Sequence, residues 1–435
     1  MNIKKLTSSI IACTLIGVSA PAAEYAVPFS LTAHASEYTK VTENNIEYNV
    51  YSDHAEIMYY TDESVTEVVI PSEFNGVPVT VINAYTFQEC AALLSVTVPA
   101  SITEINSWAF DDCTGLTQIN VAKQNPYYCS VGGILFNKDK DIIVKYPSGM
   151  EGTAYTIPAG VKTIGDSAFF HNMYLKNIII PNGVEMIQEY AFGGALELEE
   201  IDIPNSVKSI GESAFQHNIK LAEAKLPDTL EVIEGYTFSC CELLRSIRIP
   251  SSVTAVMSAA FMECNSLKNV IIPENVSVIE DGAFWCCAEI DNITILDPEC
   301  AIGVYHQEYP EVICNEYDSS NGGMQYYGTI SGYSGSTAEE YAEAIGCGFI
   351  AIDHIGDVNL DGAVDALDAS LVLMEYAASA TGKPSVIDSE AKFNADVNSD
   401  GTADALDASE ILGYYAYKAT GGKGSILEFI YNFQR

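Results

Sequence analysis

Basic residues are scarce in this sequence. Its 435 residues include 20 Lys and Arg against 59 Asp and Glu, which gives a formal net charge of −39 at pH 7. So acidic a surface repels phosphate backbones and anionic membranes, and we expect no nucleic-acid partner. The excess of carboxylates has two interpretations: general solubility, or calcium binding where carboxylates cluster at ligand spacing.

Long apolar runs are also lacking. After the N-terminal segment no stretch reaches the roughly 18 uninterrupted apolar residues of a membrane-spanning helix, so we expect no membrane insertion. The N-terminus itself has two lysines, a short apolar stretch and a small-x-small sequence ending at Ala35. This order predicts a secretory signal peptide over 1–35, with Ala23 as an alternative cleavage position. We therefore expect an exported protein.

A period of 23 residues dominates 65–296. The most regular member of each unit is a phenylalanine, preceded five residues earlier by Ile or Val and followed six residues later by Leu or Ile. Every step is 23 residues except one of 59, which contains an insert of 36. Such a period predicts a solenoid of stacked units with short parallel strands. The repeated phenylalanines are Phe87, Phe110, Phe169, Phe192, Phe215, Phe238, Phe261 and Phe284.

The repeat has the consensus L-x2-[IV]-x-[IV]-P-x2-[VL]-x2-I-x3-[AT]-F-x2-[CN] and resembles the BspA-like leucine-rich repeats of bacterial surface and secreted proteins. The last position of the repeat is mostly Cys or Asn. As in the Asn/Cys ladder of leucine-rich repeats, this predicts buried side chains with a structural role, one above the other in successive units. A disulfide between neighbours such as Cys264 and Cys287 stays open as an alternative, because the protein is expected to be exported. The ladder positions are Cys90, Cys113, Asn172, Ala195, Asn218, Cys241, Cys264 and Cys287.

The solenoid with its caps is predicted over 36–352. Residues 38–80 alternate and form the expected N-terminal cap, and the insert at about 121–157 has the pattern of a β-hairpin within a variant coil. At the other end, overlapping capping boxes from Gly335 predict a short helix through Ile345.

Two acidic loops follow, 39 residues apart. Each keeps the oxygen-bearing positions of a twelve-residue calcium loop, with Gly at position 6 and Asp in place of the usual Glu at position 12. Each leads into one apolar helix, at about 366–379 and 405–418. The predicted ligands of the first ion are Asp357, Asn359, Asp361, Ala363 through its carbonyl, Asp365 and Asp368. Those of the second are Asp396, Asn398, Asp400, Thr402 through its carbonyl, Asp404 and Asp407.

Duplicated loop–helix units, known as F-hand motifs, with Asp at position 12 resemble the type I dockerin, which plugs proteins into cohesins of a cellulosome scaffold. The resemblance covers about 353–435 and implies a small all-α domain, two bound Ca²⁺ and a cohesin partner. It also implies that loop positions 10 and 11, an Ala-Leu pair in both copies, contact the cohesin in either of two orientations. An apolar pair implies a specificity of the ruminococcal kind. The implied contacts are Ala366, Leu367, Ala405 and Leu406, with the helix positions Leu373, Met374, Leu412 and Tyr417 as further candidates that serve equally as core. The tail 426–435 is left open between a clasp near Ile355 and an extra helix.

Signatures of catalysis are lacking. His171 and His217 share one repeat position, but two units separate them by roughly 10 Å, too far for a shared metal. Ser167 and Ser213 belong to the repeat and not to a nucleophile elbow. One charged stripe faces away from the predicted core and is either a solvated face or a ligand surface. It comprises Glu200, Asp202, Glu223, Lys225, Arg245, Arg248 and Lys268.

These observations predict an extracellular, non-catalytic accessory component of a cellulosome-like complex, attached to the cell-surface assembly through its dockerin. The solenoid would present a surface to a protein, a cell surface or a polysaccharide. One alternative is a polysaccharide-degrading glycoside hydrolase with an unrecognised site on the solenoid. Another is a binder or inhibitor of secreted enzymes.

Overall fold

The computed structural model describes residues 38–303, 312–318, 323–398 and 401–433. The predicted signal peptide at 1–35 and the predicted ligand Asp400 lie outside these residues. Tyr38–Arg435 form one compact unit.

An antiparallel meander covers the N-terminal end of the solenoid. Its first hairpin turns at Asn44 and Asn45, whose φ values of 51° and 65° suit the left-handed conformation that Asn tolerates. Inside the meander, Tyr48 stacks on Phe74 with 4.1 Å between ring centroids. These strands are β1 Thr39–Glu43, β2 Ile46–Val50 and β3 Ala55–Tyr60.

The first repeat units, here called coils, stack on this meander. One set of strands forms the parallel sheet β4-β7-β9, and a second set runs from β3 through β6 to β8. A 3-10 helix at Ser107–Phe110 follows β8. The strands are β4 Glu67–Val69, β5 Glu73–Phe74, β6 Val77–Ile82, β7 Ser95–Val98, β8 Glu104–Ile105 and β9 Gln118–Val121.

The insert folds into three antiparallel strands that begin a new sheet. These are β10 Tyr128–Val131, β11 Ile134–Asn137 and β12 Ile142–Lys145. The hairpin expected in the insert is the β11–β12 pair. β12 then pairs in parallel with the short strand of the following coil, so the insert is itself a layer of the solenoid.

The remaining coils contribute two short strands each. Two parallel sheets have the orders β13-β15-β17-β19-β21 and β20-β22-β24-β26, β14-β16-β18 extend the insert's sheet, and β23 and β25 begin a further parallel sheet that strands of the C-terminal cap complete. The strands of these coils are β13 Ala154–Thr156, β14 Thr163–Ile164, β15 Asn177–Ile179, β16 Met186–Ile187, β17 Glu200–Asp202, β18 Ser209–Ile210, β19 Glu223–Lys225, β20 Val232–Ile233, β21 Ser246–Ile247, β22 Ala255–Val256, β23 Asn269–Ile272, β24 Val278–Ile279, β25 Asn292–Ile295 and β26 Ala301–Ile302.

The repeated phenylalanines form a stacked column in the core. Neighbouring rings from Phe169 to Phe284 lie 5.1–5.5 Å apart and nearly parallel. Where the insert interrupts the column, Tyr146 fills the place of a phenylalanine and stacks on Phe169 at 5.1 Å. One coil alone cannot bury such a ring on both faces, so the stack holds neighbouring coils together.

The ladder cysteines bind carbonyl oxygens of the preceding coil. The thiol of Cys113 donates to the Phe87 carbonyl at 3.0 Å, and that of Cys264 to the Phe238 carbonyl at 3.2 Å. Where Asn takes the position, as at Asn172, its side-chain oxygen accepts the Leu175 amide at 2.8 Å. No disulfide occurs among the residues that the structure describes.

The solenoid ends in strands that flank a short helix. Helix α1 spans Thr337–Ile345 and is capped by Ser336, whose side chain accepts the Glu339 amide. The capping residues expected from the sequence are therefore used. The last strands are β27 Glu316–Asp318, β28 Gly323–Gln325, β29 Thr329–Gly332 and β30 Gly348–Ala351.

In the described part of the C-terminal domain the chain forms four helices. Helices α2 Ala366–Ala380 and α4 Ala405–Ala419 agree with the two predicted helices. Helix α3 Ser389–Ala395 precedes the second loop and was not foreseen. The tail, for which the sequence allowed either a clasp near Ile355 or an extra helix, forms helix α5 Ile426–Phe433.

Candidate calcium loops and docking surface

The first acidic loop turns its carboxylates towards its own backbone amides. Asp368 is fully buried and accepts the amides of Val358 and Asn359 at 2.8 and 3.1 Å. Asp357 accepts the amide of Gly362 at 2.8 Å, and the turn depends on the φ of +87° at this glycine. The loop is therefore organised around the inward oxygens of its first and last positions.

The second loop repeats these contacts 39 residues later. Asp407 is fully buried and accepts the amides of Asn398 and Asp404 at 3.3 and 2.8 Å. Asp396 accepts the amide of Gly401 at 2.9 Å. In both loops the position-9 aspartate also caps the next helix and forms a capping box with the position-12 aspartate.

The donor set of the first loop fits a hard divalent cation. Asp357 and Asp368 are 4% and 0% exposed. Among the described residues, the one basic side chain within 4.0 Å of either carboxylate is His354, with Nδ1 at 3.9 Å from Asp357 Oδ2. Burial raises the pKa of Asp368. A Ca²⁺ site provides buried anionic oxygens of this kind, whose negative charge has little positive charge beside it.

The residues predicted to contact a cohesin lie at equivalent ends of two packed helices. Ala366 and Leu367 begin α2, Ala405 and Leu406 begin α4, and all four are exposed. Leu367 and Leu406 expose 62% and 53% of their surface, which is unusual for leucine at the start of a helix in a small domain. Further exposed apolar residues on these helices are Leu373, Met374 and Leu412 from the prediction, and Tyr376 and Tyr415, which sequence reasoning missed.

Tyr417 does not belong to this exposed surface. Its ring packs against Phe429 of α5 with 5.3 Å between centroids, and its hydroxyl donates to the Lys423 carbonyl at 3.0 Å. The interpretation as core therefore holds for Tyr417, and its role is to seat α5 on α4.

The charged stripe on the solenoid is partly paired between neighbouring coils. Glu200 and Asp202 lie opposite Glu223 and Lys225 in the parallel register of β17 and β19. Lys225 Nζ lies 3.8 Å from Asp202 Oδ1. Outside those strands, Lys268 Nζ lies 3.6 Å from Glu289 Oε2, and Arg245 is exposed. Paired surface charges of this kind are what a solvated sheet face shows.

One end of the stripe contacts the chain's own C-terminal helix. Arg248 donates through Nε to the Tyr431 carbonyl at 3.4 Å, and its guanidinium lies 5.4 Å from the centre of the Tyr431 ring. The Tyr431 hydroxyl donates to the Ile249 carbonyl at 2.7 Å. Helix α5 thus joins the C-terminal domain to the solenoid, and Arg248 is part of that junction.

A pair of carboxyl groups lies at the same junction. Glu428 of α5 is buried and lines one small cleft with Glu274 of the solenoid. Burial, and then the neighbouring Glu274 carboxyl, raises the pKa of Glu428 to about 7. Ser251, Pro273, Leu296 and Tyr431 line the small cleft around them. The pair is compatible with one shared proton.

A second polar cluster lies where the insert replaces an ordinary turn. Oxygens of Asp111 and Asp112 and a ring nitrogen of His171 lie within 4.8 Å of one another, and His171 is hydrogen-bonded to Asp112. Buried Lys145 donates to the Ser167 carbonyl at 2.9 Å, and burial lowers its pKa to about 8. The Lys145 ammonium is a second donor to a carbonyl that also accepts the Phe170 amide, and its charge offsets the nearby carboxylates of Asp111 and Asp112. Sequence reasoning considered His171 only with His217 and found the two too far apart for a shared metal, and it missed the contact with Asp112 because the insert separates these residues by 59 positions.

Among the residues that the structure describes, no helix is long and apolar enough to cross a membrane.

Family comparisons agree with this architecture. A model of the BspA-type leucine-rich repeat region matches six copies over residues 38–136, 149–260 and 186–306. The chain belongs to the BspA-type leucine-rich repeat family. A model of the type I dockerin domain matches residues 355–414. The predicted repeat solenoid with a C-terminal dockerin is thereby confirmed.

Solved bacterial leucine-rich repeat proteins are similar to this BspA-type protein. One from Eubacterium ventriosum is 20% identical, with 64% of this chain and 97% of that chain covered and a TM-score of 0.44. The pneumococcal vaccine antigen PcpA is 15% identical, with 72% and 98% covered and a TM-score of 0.38. No curated protein matches the chain significantly.

The two domain types indicate assembly and recognition. A type I dockerin implies cohesin binding in a cellulosome-type assembly, and dockerins of this type are calcium binders. The leucine-rich repeats supply a protein-interaction module, and proteins with such domains are typically extracellular or on the cell surface. Both domain types are non-catalytic, and the comparisons find no enzyme domain.

Proposed function

We propose that this BspA-type protein is an exported, non-catalytic accessory component of a cellulosome-like complex. In this proposal residues 1–35 are a signal peptide, 36–352 are the capped solenoid and 353–435 are the dockerin. The dockerin binds a cohesin of the scaffold protein and the solenoid presents a recognition surface. The observation that supports this most directly is the exposed leucine at the same place on α2 and α4, beside two equivalent acidic loops.

Two Ca²⁺ ions would supply the positive charge that the loops lack. The first loop would hold its ion with the side chains of Asp357, Asn359, Asp361, Asp365 and Asp368 and the carbonyl of Ala363. The second loop would use Asp396, Asn398, Asp400, Asp404 and Asp407 and the carbonyl of Thr402. Because Asp365 and Asp404 also cap α2 and α4, an ordered loop presents the Ala-Leu pairs correctly.

The equivalent ends of α2 and α4 support binding in two orientations. Each end offers the same Ala-Leu pair at the same distance from its loop, and the pairs are related by the internal duplication. A cohesin with one apolar patch would accept either end. Exposed aromatic and aliphatic residues at the middle of an interface carry much of the binding energy.

Cohesin binding by single and double variants tests this proposal. The affinity of the full chain for a panel of cohesins is measured by titration calorimetry in calcium, for Leu367→Ser, Leu406→Ser and the double variant. Two equivalent orientations predict a loss of about twofold for each single variant and loss of binding for the double variant. Phe393→Ser, an exposed apolar residue on α3, is the matched control. Unchanged binding by the double variant would refute the proposed surface.

The enzyme alternative has a separate test on the solenoid. The chain and a Glu200→Gln, Asp202→Asn, Glu223→Gln variant are assayed on a panel of plant glycans. We expect no hydrolysis by either protein, because these carboxylates are exposed and lie in a partly paired surface stripe. Hydrolysis by the unchanged chain that the triple variant loses would overturn the accessory role.

A further inference from the structure

Two cysteines meet where the last regular coil contacts the C-terminal cap. The Phe284 amide donates to the Val312 carbonyl at 2.8 Å, and the Cys287 amide donates to the Cys314 carbonyl at 2.9 Å. Residues 312–314 therefore occupy the place of the next coil's turn. Cys314 thus stacks beside Cys286, which is 28 residues away in the chain.

The sulfur of Cys314 lies against Cys286. The Cys286 amide donates to Cys314 Sγ at 3.0 Å. Stacked strands are about 4.8 Å apart, within the range of Cα separations that a disulfide spans. Cys314 is fully buried and Cys286 is half-buried, so Cys286 is the more exposed residue of the pair.

Other cysteines on neighbouring coils have different partners. The thiols of Cys264 and Cys287 donate to two different carbonyls, those of Phe238 and Phe261, at 3.2 and 3.1 Å. Cys240 has the same repeat position as Cys286, but its thiol contacts the carboxylate of Glu263 at 3.6 Å. Cysteines on neighbouring coils are therefore not enough to distinguish the Cys286–Cys314 pair. The direct contact of the Cys314 sulfur with the Cys286 amide distinguishes it.

We propose that Cys286 and Cys314 form a disulfide that fastens the last regular coil to the C-terminal cap when the protein meets an oxidising environment. The physiological part of this proposal rests on the proposed export, since disulfides persist outside the cytoplasm. The chemical part does not depend on export and is testable on the purified chain.

The bond forms by thiol–disulfide exchange with a small disulfide such as oxidised glutathione. The Cys286 thiolate attacks one glutathione sulfur, and the first glutathione leaves as a thiolate. Cys314 Sγ then attacks the Cys286 sulfur, and the second glutathione leaves. The two cysteine protons pass to the glutathione thiolates, and the two electrons lost by the cysteines reduce the oxidant's disulfide. The Cys286 side chain, together with burial, raises the pKa of Cys314, which favours Cys286 as the first nucleophile.

Thiol counting and peptide mapping test the bond. The full chain is equilibrated with oxidised glutathione, denatured, alkylated and digested without reduction. We expect two fewer alkylated thiols than in the reduced protein and one cross-linked peptide pair that contains Cys286 and Cys314. A Cys287→Ser variant distinguishes the two adjacent cysteines in that peptide.

Matched variants sharpen the test. Cys286→Ser and Cys314→Ser should each abolish the cross-link, whereas Cys240→Ser should leave it unchanged. A full set of free thiols, a stable glutathione adduct on Cys286, or a link from Cys264 to Cys287 would overturn the proposal. The decisive measurement is whether the unchanged chain yields the cross-linked peptide. Poor folding of a variant therefore does not affect the result. Failure of cohesin binding would leave this result unaffected.

Discussion

The solenoid and the dockerin are stabilised by different kinds of contact. The solenoid buries a column of stacked phenylalanines and a ladder of uncharged Cys and Asn side chains. The dockerin, although much smaller, buries the carboxylates Asp357, Asp368, Glu375 and Asp407. An apolar column needs only neighbouring coils, whereas a buried carboxylate needs amide donors and a counter-charge. One chain therefore joins an apolar stack to a domain with buried carboxylates, and we expect the stability of the second part to depend more strongly on cations and pH.

Calcium removal should produce the largest difference in stability between the two regions. EDTA should unfold α2 to α5 and leave the solenoid folded, since the acidic loops lose their counter-ions. Cohesin affinity should fall at least about a hundredfold, or about 2.8 kcal/mol. Helix content by circular dichroism and hydrogen exchange by region measure the outcome. Equal protection of α2 and α4 with and without calcium would contradict it, and Asp368→Asn with Asp407→Asn should resemble chelation.

Truncation of a side chain in the phenylalanine column should destabilise the solenoid and leave the calcium response of the dockerin unchanged. Phe215 is fully buried between Phe192 and Phe238, so Phe215→Ala should cost about 3–5 kcal/mol of solenoid stability. The midpoint of a calcium titration followed by dockerin helicity should not move. Phe393→Ala, at an exposed position, is the control for both measurements. A shift of the calcium midpoint by Phe215→Ala would show that the regions fold as one unit.

Acid should weaken the dockerin before the solenoid. The Lys392 ammonium beside Glu375, aided by the Val386 amide and the Ser385 hydroxyl, lowers the pKa of this carboxyl to about 2. A lowered pKa contributes stability above the ordinary value of 4.5, and this stability is lost as the pH falls towards 2. We expect a loss on the order of 2–3 kcal/mol over that range in unfolding experiments on the dockerin.

Glu375→Gln should remove most of this acid dependence and destabilise the dockerin at neutral pH by a similar amount. Ser385→Ala, which removes one neutral donor, should cost about 1 kcal/mol and keep the acid dependence. Identical pH profiles for Glu375→Gln and the unchanged chain would exclude Glu375 as the titrating group.

The junction between the regions should show the smallest effect, with the opposite sign. Burial raises the pKa of Glu428 to about 7, so the folded junction binds a proton that the unfolded chain releases near 4.5. The stability from this proton is complete below about 4.5 and is lost as the pH rises to about 7. We expect a loss on the order of 1 kcal/mol, because Glu274 is exposed and solvent screens the pair.

Fluorescence energy transfer between labels on the solenoid and on α4 would report the opening of this junction. Glu428→Gln should keep it closed at all pH values, and Tyr431→Phe should weaken it without changing its pH dependence. A junction that tightens as the pH rises would contradict the carboxyl pair.

The regular parts of both regions were predictable because their signals repeat. The 23-residue spacing of phenylalanine located the core column, and the duplicated Asp-x-Asn-x-Asp-Gly pattern located α2 and α4 within one residue of their ends. Each signal occurs several times at a constant offset, so local propensity and tertiary packing agree.

The irregular contacts were not predictable, because each occurs once and depends on what the chain places beside it. Nothing in the sequence near Lys145 indicates that its ammonium is buried against the Ser167 carbonyl. The seat of α5 depends on Arg248, which lies 183 residues before its partner Tyr431. Tyr417 was ambiguous for the same reason, since its core partner Phe429 belongs to a helix that had no repeat to reveal it.

The junction through Tyr431 changes what two binding orientations would mean. With a hinge between the regions, a cohesin could rotate on the dockerin while the solenoid kept its direction. Because α5 is anchored on Ile249 and packed on α4 at once, the solenoid must turn with the dockerin. The choice between the Leu367 end and the Leu406 end would then set which way the solenoid points on its scaffold. A population of identical molecules would present the solenoid to its surroundings in two directions.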